Sequence, residues 1–331
     1  MDPVRVKLTF GHRHIEGPAL EETPGSSGRW GRYEFLINEP VPSCEWWVVY
    51  EAALPGESTI CPPENVIFLT METPDRQPYS QDFLDQFATV RSARRDIQHR
   101  DLRLGLQGQT YHLLGRSYDE LVVGPSPVKD RDLSVISSNK AWLEGHRVRL
   151  ALALGLKAHF GDRADLFGSG IRDFDDKWEV LAPYRYSVAI ENVERVDYVT
   201  EKLSDCFLAE TFPFYAGAPN AADYYPADSF IKIDPRDLEG TIDVIERTLA
   251  DPNHFERSRP AILEAKRRHL ESHSLFPLLV SILDGIEAEG RSGAPCRVTI
   301  KPEFSRPPLL LRAAHRLQML VRKRRQGSYV G

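Results

Sequence analysis

The chain has 331 residues, 41% hydrophobic and 27% charged, long enough for two domains of ordinary size and too apolar for a disordered polymer. Its formal net charge of −6 gives no reason to expect nucleic acid as a partner of the whole chain. No apolar run approaches the roughly 20 residues that span a bilayer. Cys44, Cys61, Cys206 and Cys296 stand far apart without a CxxC pair, so the expectation is reduced thiols in a cytoplasmic protein.

Near the N-terminus, VRVKLTF alternates Val4, Val6 and Leu8 and predicts a first strand rather than a signal peptide. The loop after it, GHRHIEG, offers His12 and His14 either as plain polar residues or as contacts to an acceptor molecule. EWWVVYEA and NVIFLTM predict buried strands, with Trp46 and Trp47 on opposite faces, so that at least one is core. FLDQFATV and RLGLQGQTYHLLG carry weaker patterns. VVGPSPVKDRDL, residues 122–133, is rich in turn formers and reads as a linker.

A second block opens with the strand SVISS and the helix HRVRLALALGL, then a loop through FGSGIRDFDDKWEVL. YRYSVAI is a strand and TEKLSDCFLAE a helix, with Thr200 as N-cap. TFPFYAG and SFIKID are strands on either side of GAPN. TIDVIERTLA, PAILEAKRRHL and PLLVSILDGIEA are helices that close the fold. Repeated β-α-β units with short connections predict an α/β protein of two Rossmann-like domains facing a cleft, residues 1–133 and 134–303. No G-x-G-x-x-G or Walker-type phosphate loop is present.

In open α/β sheets ligands sit beyond the carboxyl ends of strands. Glu191 and Asn192 occupy such an end, and Thr200-Glu201-Lys202 begins the helix that follows. Free N–H groups and the dipole favour an anion there. A lysine in the first turn opposes that dipole, and an anionic ligand removes the conflict. Glu201 beside it is a good acceptor for sugar hydroxyls.

The stretch YSVAIENVERVDYVTEKLSDCFLAETFPFYAGAPNAADYYPADSFIKID resembles the signature of the α1,3/4-fucosyltransferases, glycosyltransferase family 10. The shared features are a strand ending in F-E-N, then Y-[IV]-T-E-K, G-x-P-N and S-F-I. SNKAWLEGHR (138–147) resembles the family's S-N…R element, and FLTMETP (68–74) its E-S-P element. Ile190, Val193 and Lys140 depart from the pattern.

The resemblance implies glycosyltransferase B architecture and inverting transfer of fucose from GDP-fucose to a glycan hydroxyl, in α1,3 or α1,4 linkage. It implies Lys202 and Arg147 on the diphosphate, and Glu201 on the ribose. Asn192, Tyr198 and Tyr186 fall to the nucleotide, Glu191 near the donor sugar, and Glu72 as general base. Such chemistry needs one base and no acid for the leaving diphosphate, provided cations absorb its charge. The guanidinium fork of Arg147 and the point charge of Lys202 suit phosphate. GDP-fucose is then a co-substrate, and neither cofactor nor metal is expected. Asp173-Phe-Asp175-Asp176 matches a metal-holding D-x-D pair only in its letters.

After Glu303 acids cease and arginines accumulate. Leu310, Ala313, Leu317 and Leu320 share a helical face in this segment, 304–331, which reads either as a basic amphipathic helix on an anionic membrane surface or as a helix packed on the domain. The former places the protein peripherally on the inner face of the membrane. Two rival functions stay open: a transferase for another nucleotide sugar, and a catalytically silent glycan-binding module.

Overall fold

The computed structural model describes residues 2–11, 16–74, 77–111, 114–137, 144–291 and 293–303. His12, His14 and the segment 304–331 lie outside the described residues. The first half of the chain contributes β1 (Val4–Phe10), β2 (Arg29–Trp30), β3 (Tyr33–Ile37), β4 (Trp46–Tyr50), β5 (Ser58–Cys61), β6 (Val66–Thr70), β7 (Thr89–Ser92) and β8 (Leu102–Leu104). Three short helices, α1 (Glu16–Glu21), α2 (Gln81–Leu84) and α3 (Tyr118–Val123), connect them.

Seven of these strands form one sheet in the order β2-β3-β1-β4-β6-β7-β8, parallel except for the β2–β3 pair. Every residue of β4 and β6 is buried, as a parallel sheet covered on both faces requires. Both Trp46 and Trp47 are therefore core, and the Trp47 indole donates to Thr9 Oγ1 at 3.0 Å. From β1 the chain adds β3 on one side, then returns to place β4 on the other. The sheet's switch crevice thus opens at Gly11 and Glu51, beyond the carboxyl ends of β1 and β4. A β-carbon on Gly11 would stand 2.6 Å from that of Ala52, so only glycine lets the two loops meet.

Residues 124–130 cross to the second domain without regular structure. Five parallel strands follow: β9 (Arg131–Ile136), β10 (Ala164–Phe167), β11 (Tyr184–Ile190), β12 (Phe212–Ala216) and β13 (Ile231–Lys232). Their order is β10-β9-β11-β12-β13, so the switch crevice of this sheet lies between β9 and β11. The helices are α4 (Glu144–Phe160), α5 (Trp178–Leu181), α6 (Glu201–Leu208), α7 (Leu238–Ala250) and α8 (His254–Arg268).

The last two elements, α9 (Leu275–Ala288) and β14 (Cys296–Thr299), return to the first domain. Phe276 meets Phe35 edge-on at 5.0 Å, the Tyr33 hydroxyl donates to Asp284 at 2.6 Å, and Arg32 pairs with Asp284 and Glu287. β14 pairs antiparallel with β5, setting Cys296 opposite Cys61. The predicted boundary of 134–303 therefore needs correcting, since residues 275–303 pack on the first domain. The apolar pattern of α9 says that the helix is buried, and is silent about what buries it. Three of the four cysteines that the sequence scatters are neighbours in this corner.

The two carboxyl edges face each other. Arg95, beyond β7, donates to Asp197, beyond β11, at 2.9 Å, and Gln109 donates to the carbonyl of Val199 at 3.3 Å. Two Rossmann-like domains thus share one cleft, as the sequence predicts. Among the described residues no helix is long and apolar enough to cross a membrane.

Candidate active site

Beyond β11 the backbone of Glu191 donates to Ala216 at 2.8 Å, extending the ladder by one residue into the cleft. The Glu191 carboxylate is buried and accepts from Thr200 twice, from the backbone N–H at 2.8 Å and from the hydroxyl at 2.6 Å. Thr200 is extended and caps α6, its Oγ1 accepting from the backbone of Lys202. That geometry brings Lys202 Nζ to 3.1 Å from Thr200 Oγ1, 3.3 Å from Glu201 and 3.5 Å from Glu191. Lys177, just ahead of α5, reaches Asp205 at 2.7 Å and Glu201 at 3.7 Å.

The charges tune one another. Burial raises the Glu191 carboxyl above its ordinary value, with Lys202 opposing. Burial would also raise Glu201, but Lys202 and Lys177 together hold it well below the usual carboxylate range. Against its own burial, Lys202 is held above the ordinary lysine value by Glu201 and Glu191. The misplaced cation at the helix start is therefore balanced inside the protein by two carboxylates.

Asp205 is pushed up to about 6 by burial, with Lys177 opposing, and its Oδ1 has no hydrogen-bond partner. Between its ordinary value of 3.8 and about 6 the native chain holds a proton that the unfolded chain has lost. Asp205 therefore withdraws stability as pH rises through that window and adds no slope above it. Asp205→Asn is expected to lack this slope. Urea-unfolding free energies of both proteins across the window check it, and parallel curves would overturn it.

Arg149 is the residue that motif matching misses. It is buried on α4 and donates to Asn192 Oδ1 at 2.7 Å, whereas Arg147 is exposed. Two residues apart on a helix, the pair point to different sides. Burial lowers the Arg149 guanidinium, and Glu191 and Glu201 attract it. A signal was present: Arg149 stands in phase with the buried Leu152, Ala153 and Leu156. Gly145, one turn earlier, lets α4 approach Asn192, whose carbonyl would be 2.6 Å from an added β-carbon.

Two cavities flank this cluster. One, of about 200 Å³, fills the β9–β11 switch crevice and is lined by Ser137, Arg149, Lys177, Glu201, Lys202 and Asp205 among others. The other, of about 670 Å³, opens on the far side of Glu191 and Asn192, toward Arg195, Gly217, Lys232 and Arg236. A β-carbon on Gly217 would lie 2.4 Å from Glu191 Cγ, so glycine is required beside the carboxylate. Asn220 of GAPN exchanges hydrogen bonds with Asp197, donating at 2.8 Å and accepting its N–H at 2.8 Å, which fixes the loop between Glu191 and α6.

Of the other predicted residues, Tyr198 lies at the cleft. Burial and the charges of Glu191 and Glu201, joined by Glu72 and Glu51 from the first domain, raise its phenol well above the ordinary value. Glu72, partly buried just beyond the carboxyl end of β6, is also at the cleft edge. Tyr186 is not: it sits mid-strand in the core, stacked on Phe214 and 3.3 Å from His254 of α8. The acidic loop is occupied locally, with Asp176 capping the backbone of Glu179. Among the described residues no three potential metal ligands gather.

Residues 127–248, from the interdomain linker into α7, match the family model of glycosyltransferase family 10 (fucosyltransferase), C-terminal part. That segment, a little over a third of the chain, is similar to the C-terminal part of family 10 fucosyltransferases. A fucosyltransferase-like protein of Arabidopsis thaliana is 34% identical over 101 residues, 29% of this chain and 20% of that protein. An alpha-(1,3)-fucosyltransferase of Helicobacter pylori is 33% identical over 72 residues, 22% of this chain and 15% of its own length. The chain thus spans a fifth or less of these relatives. An alpha-glucosyltransferase solved with UDP and a 13-mer DNA superposes with a TM-score of 0.51 at 10% identity, covering 86% of this chain and all of that one. The shared fold is the glycosyltransferase B architecture. The matched segment holds the whole lysine–carboxylate cluster.

Proposed function

We propose that the protein is an inverting fucosyltransferase that moves fucose from GDP-fucose to a hydroxyl of a glycan, forming an α1,3 or α1,4 linkage. The observation that carries this reading is the gathering of Arg149, Lys177 and Lys202 at the switch crevice of a segment that matches family 10, with Glu72 just beyond β6 of the opposite sheet. Lys202 and Arg149 absorb the charge that develops on the departing diphosphate, which requires no acid. Arg149 takes the part that the motif assigns to Arg147. Glu201 and Asn192 hold the nucleoside, and Tyr198 closes on it from the cleft. Glu191 fixes Thr200 and Lys202 and adds negative charge beside the oxocarbenium-like sugar. Glu72 removes the proton from the acceptor hydroxyl as it attacks the anomeric carbon.

Incubation with GDP-fucose and a panel of glycans is expected to yield fucosylated product, read by mass spectrometry. Transfer from a different nucleotide sugar alone would favour the rival transferase. Glycan binding without turnover would favour the silent module. The reading extends to an anionic membrane surface contacted by the basic segment 304–331 on the cytoplasmic side. Co-sedimentation with anionic liposomes is expected for the full chain and not for a chain ending at Glu303. Equal sedimentation of the two would remove this part.

A further inference from the structure

The switch crevice of the first sheet holds a carboxylate to which the family motif gives no part. Glu51 is the first residue beyond β4, and its backbone N–H donates to Leu69 at 2.8 Å. Its φ is +67°, a left-handed conformation that a residue with a β-carbon rarely adopts. Such an outlier at the mouth of a cleft invites a functional explanation.

This backbone turn sends the Glu51 side chain under the loop that follows β6. One carboxylate oxygen accepts from the backbone N–H of Met71. The other accepts from the Thr70 hydroxyl at 3.0 Å and the Tyr79 hydroxyl at 3.2 Å. Thr70 Oγ1 in turn accepts from the backbone N–H of Glu72 at 3.3 Å. One buried carboxylate therefore organises three successive residues, 70 to 72.

We propose that Glu51 is a positioning residue for Glu72, holding the turn that aims the base at the acceptor hydroxyl. The inference rests on Glu72 being the base. The surroundings fit the role. Glu72, Tyr79, Tyr50 and, across the cleft, Tyr198 are the titratable groups that share its field, and the Arg94 guanidinium lies over the Tyr79 ring at 5.4 Å. Burial, with the charge of Glu72 adding to it, pushes the Glu51 carboxyl up to about 7.

The test compares Glu51→Ala, Glu51→Gln and Glu72→Gln in transfer from GDP-fucose to the best acceptor of the glycan panel, with GDP binding followed by calorimetry. Glu51→Ala is expected to lower kcat by about 10²-fold, the scale of a misplaced reacting group, while GDP binding stays as in the wild type. Glu51→Gln is expected to recover most of kcat, because its amide oxygen still accepts from Met71. Unchanged kcat in Glu51→Ala, or loss of GDP binding along with kcat, would overturn the positioning role. Failure of Glu51→Gln to recover kcat would overturn it as well. If Glu72→Gln keeps transfer, the base reading itself fails. If Glu72→Gln is inactive while Glu51→Ala is active, only the positioning role fails.

Discussion

Replacing Lys202 with alanine is expected to reduce transfer from GDP-fucose by about 10²–10³-fold, the scale seen when a group that stabilises developing charge is removed. The ammonium is the one cation within 4 Å of both Glu191 and Glu201 among the described residues. Without it the diphosphate would meet two buried carboxylates where it now meets a balanced cluster. The native state suffers too, because Glu201 is then left with Lys177 at 3.7 Å and Glu191 with the neutral donors of Thr200 close by and the Arg149 charge farther off. Breaking a buried ion pair in this way costs about 3–5 kcal/mol. Urea unfolding, calorimetry with GDP and steady-state transfer separate these effects. Lys202→Arg keeps the charge and is expected to restore stability more fully than transfer, since a planar fork does not reproduce a point charge. Wild-type GDP binding in the alanine variant would remove Lys202 from the donor site.

Glu72→Gln is expected to act on kcat alone, lowering it by about 10²–10⁴-fold, the contribution of a positioned base. Glutamine keeps the shape and the backbone bond to Thr70 Oγ1 and removes only the proton acceptor. GDP binding is expected to survive, because every residue proposed to hold the diphosphate belongs to the second domain. The two variants should thus separate cleanly, one losing donor affinity and the other only turnover. A Glu72→Gln enzyme with full kcat would require a different base on the acceptor side of the cleft.

Local signals were the legible ones. Thr200 capping α6, the strand YRYSVAI and the placement of Glu191 just past its end follow from short-range patterns, and the structure keeps all three. Helix phase buries Arg149 and exposes Arg147, and a motif aligned by letters does not carry phase. Strand position likewise sets Tyr186 in the core, four residues back from the carboxyl end of β11. Glu51 was out of reach for a different reason. Its partners lie 19 to 28 residues away along the chain, and nothing in YEAAL announces a left-handed glutamate. The short strands β2, β7 and β8 escaped because two to four residues show too little alternation to read.

The return of α9 and β14 bears on how this chain can be recombined. A donor-side domain exchanged between relatives at the interdomain linker alone would carry residues 275–303 away from Phe35, Arg32 and β5, and expose the face they cover. A viable chimera needs two junctions, one at 124–130 and one between α8 and α9, so that the first domain keeps α9 and β14. The module that evolution or an engineer can swap is then a continuous insert, bounded on both sides by sequence of the first domain.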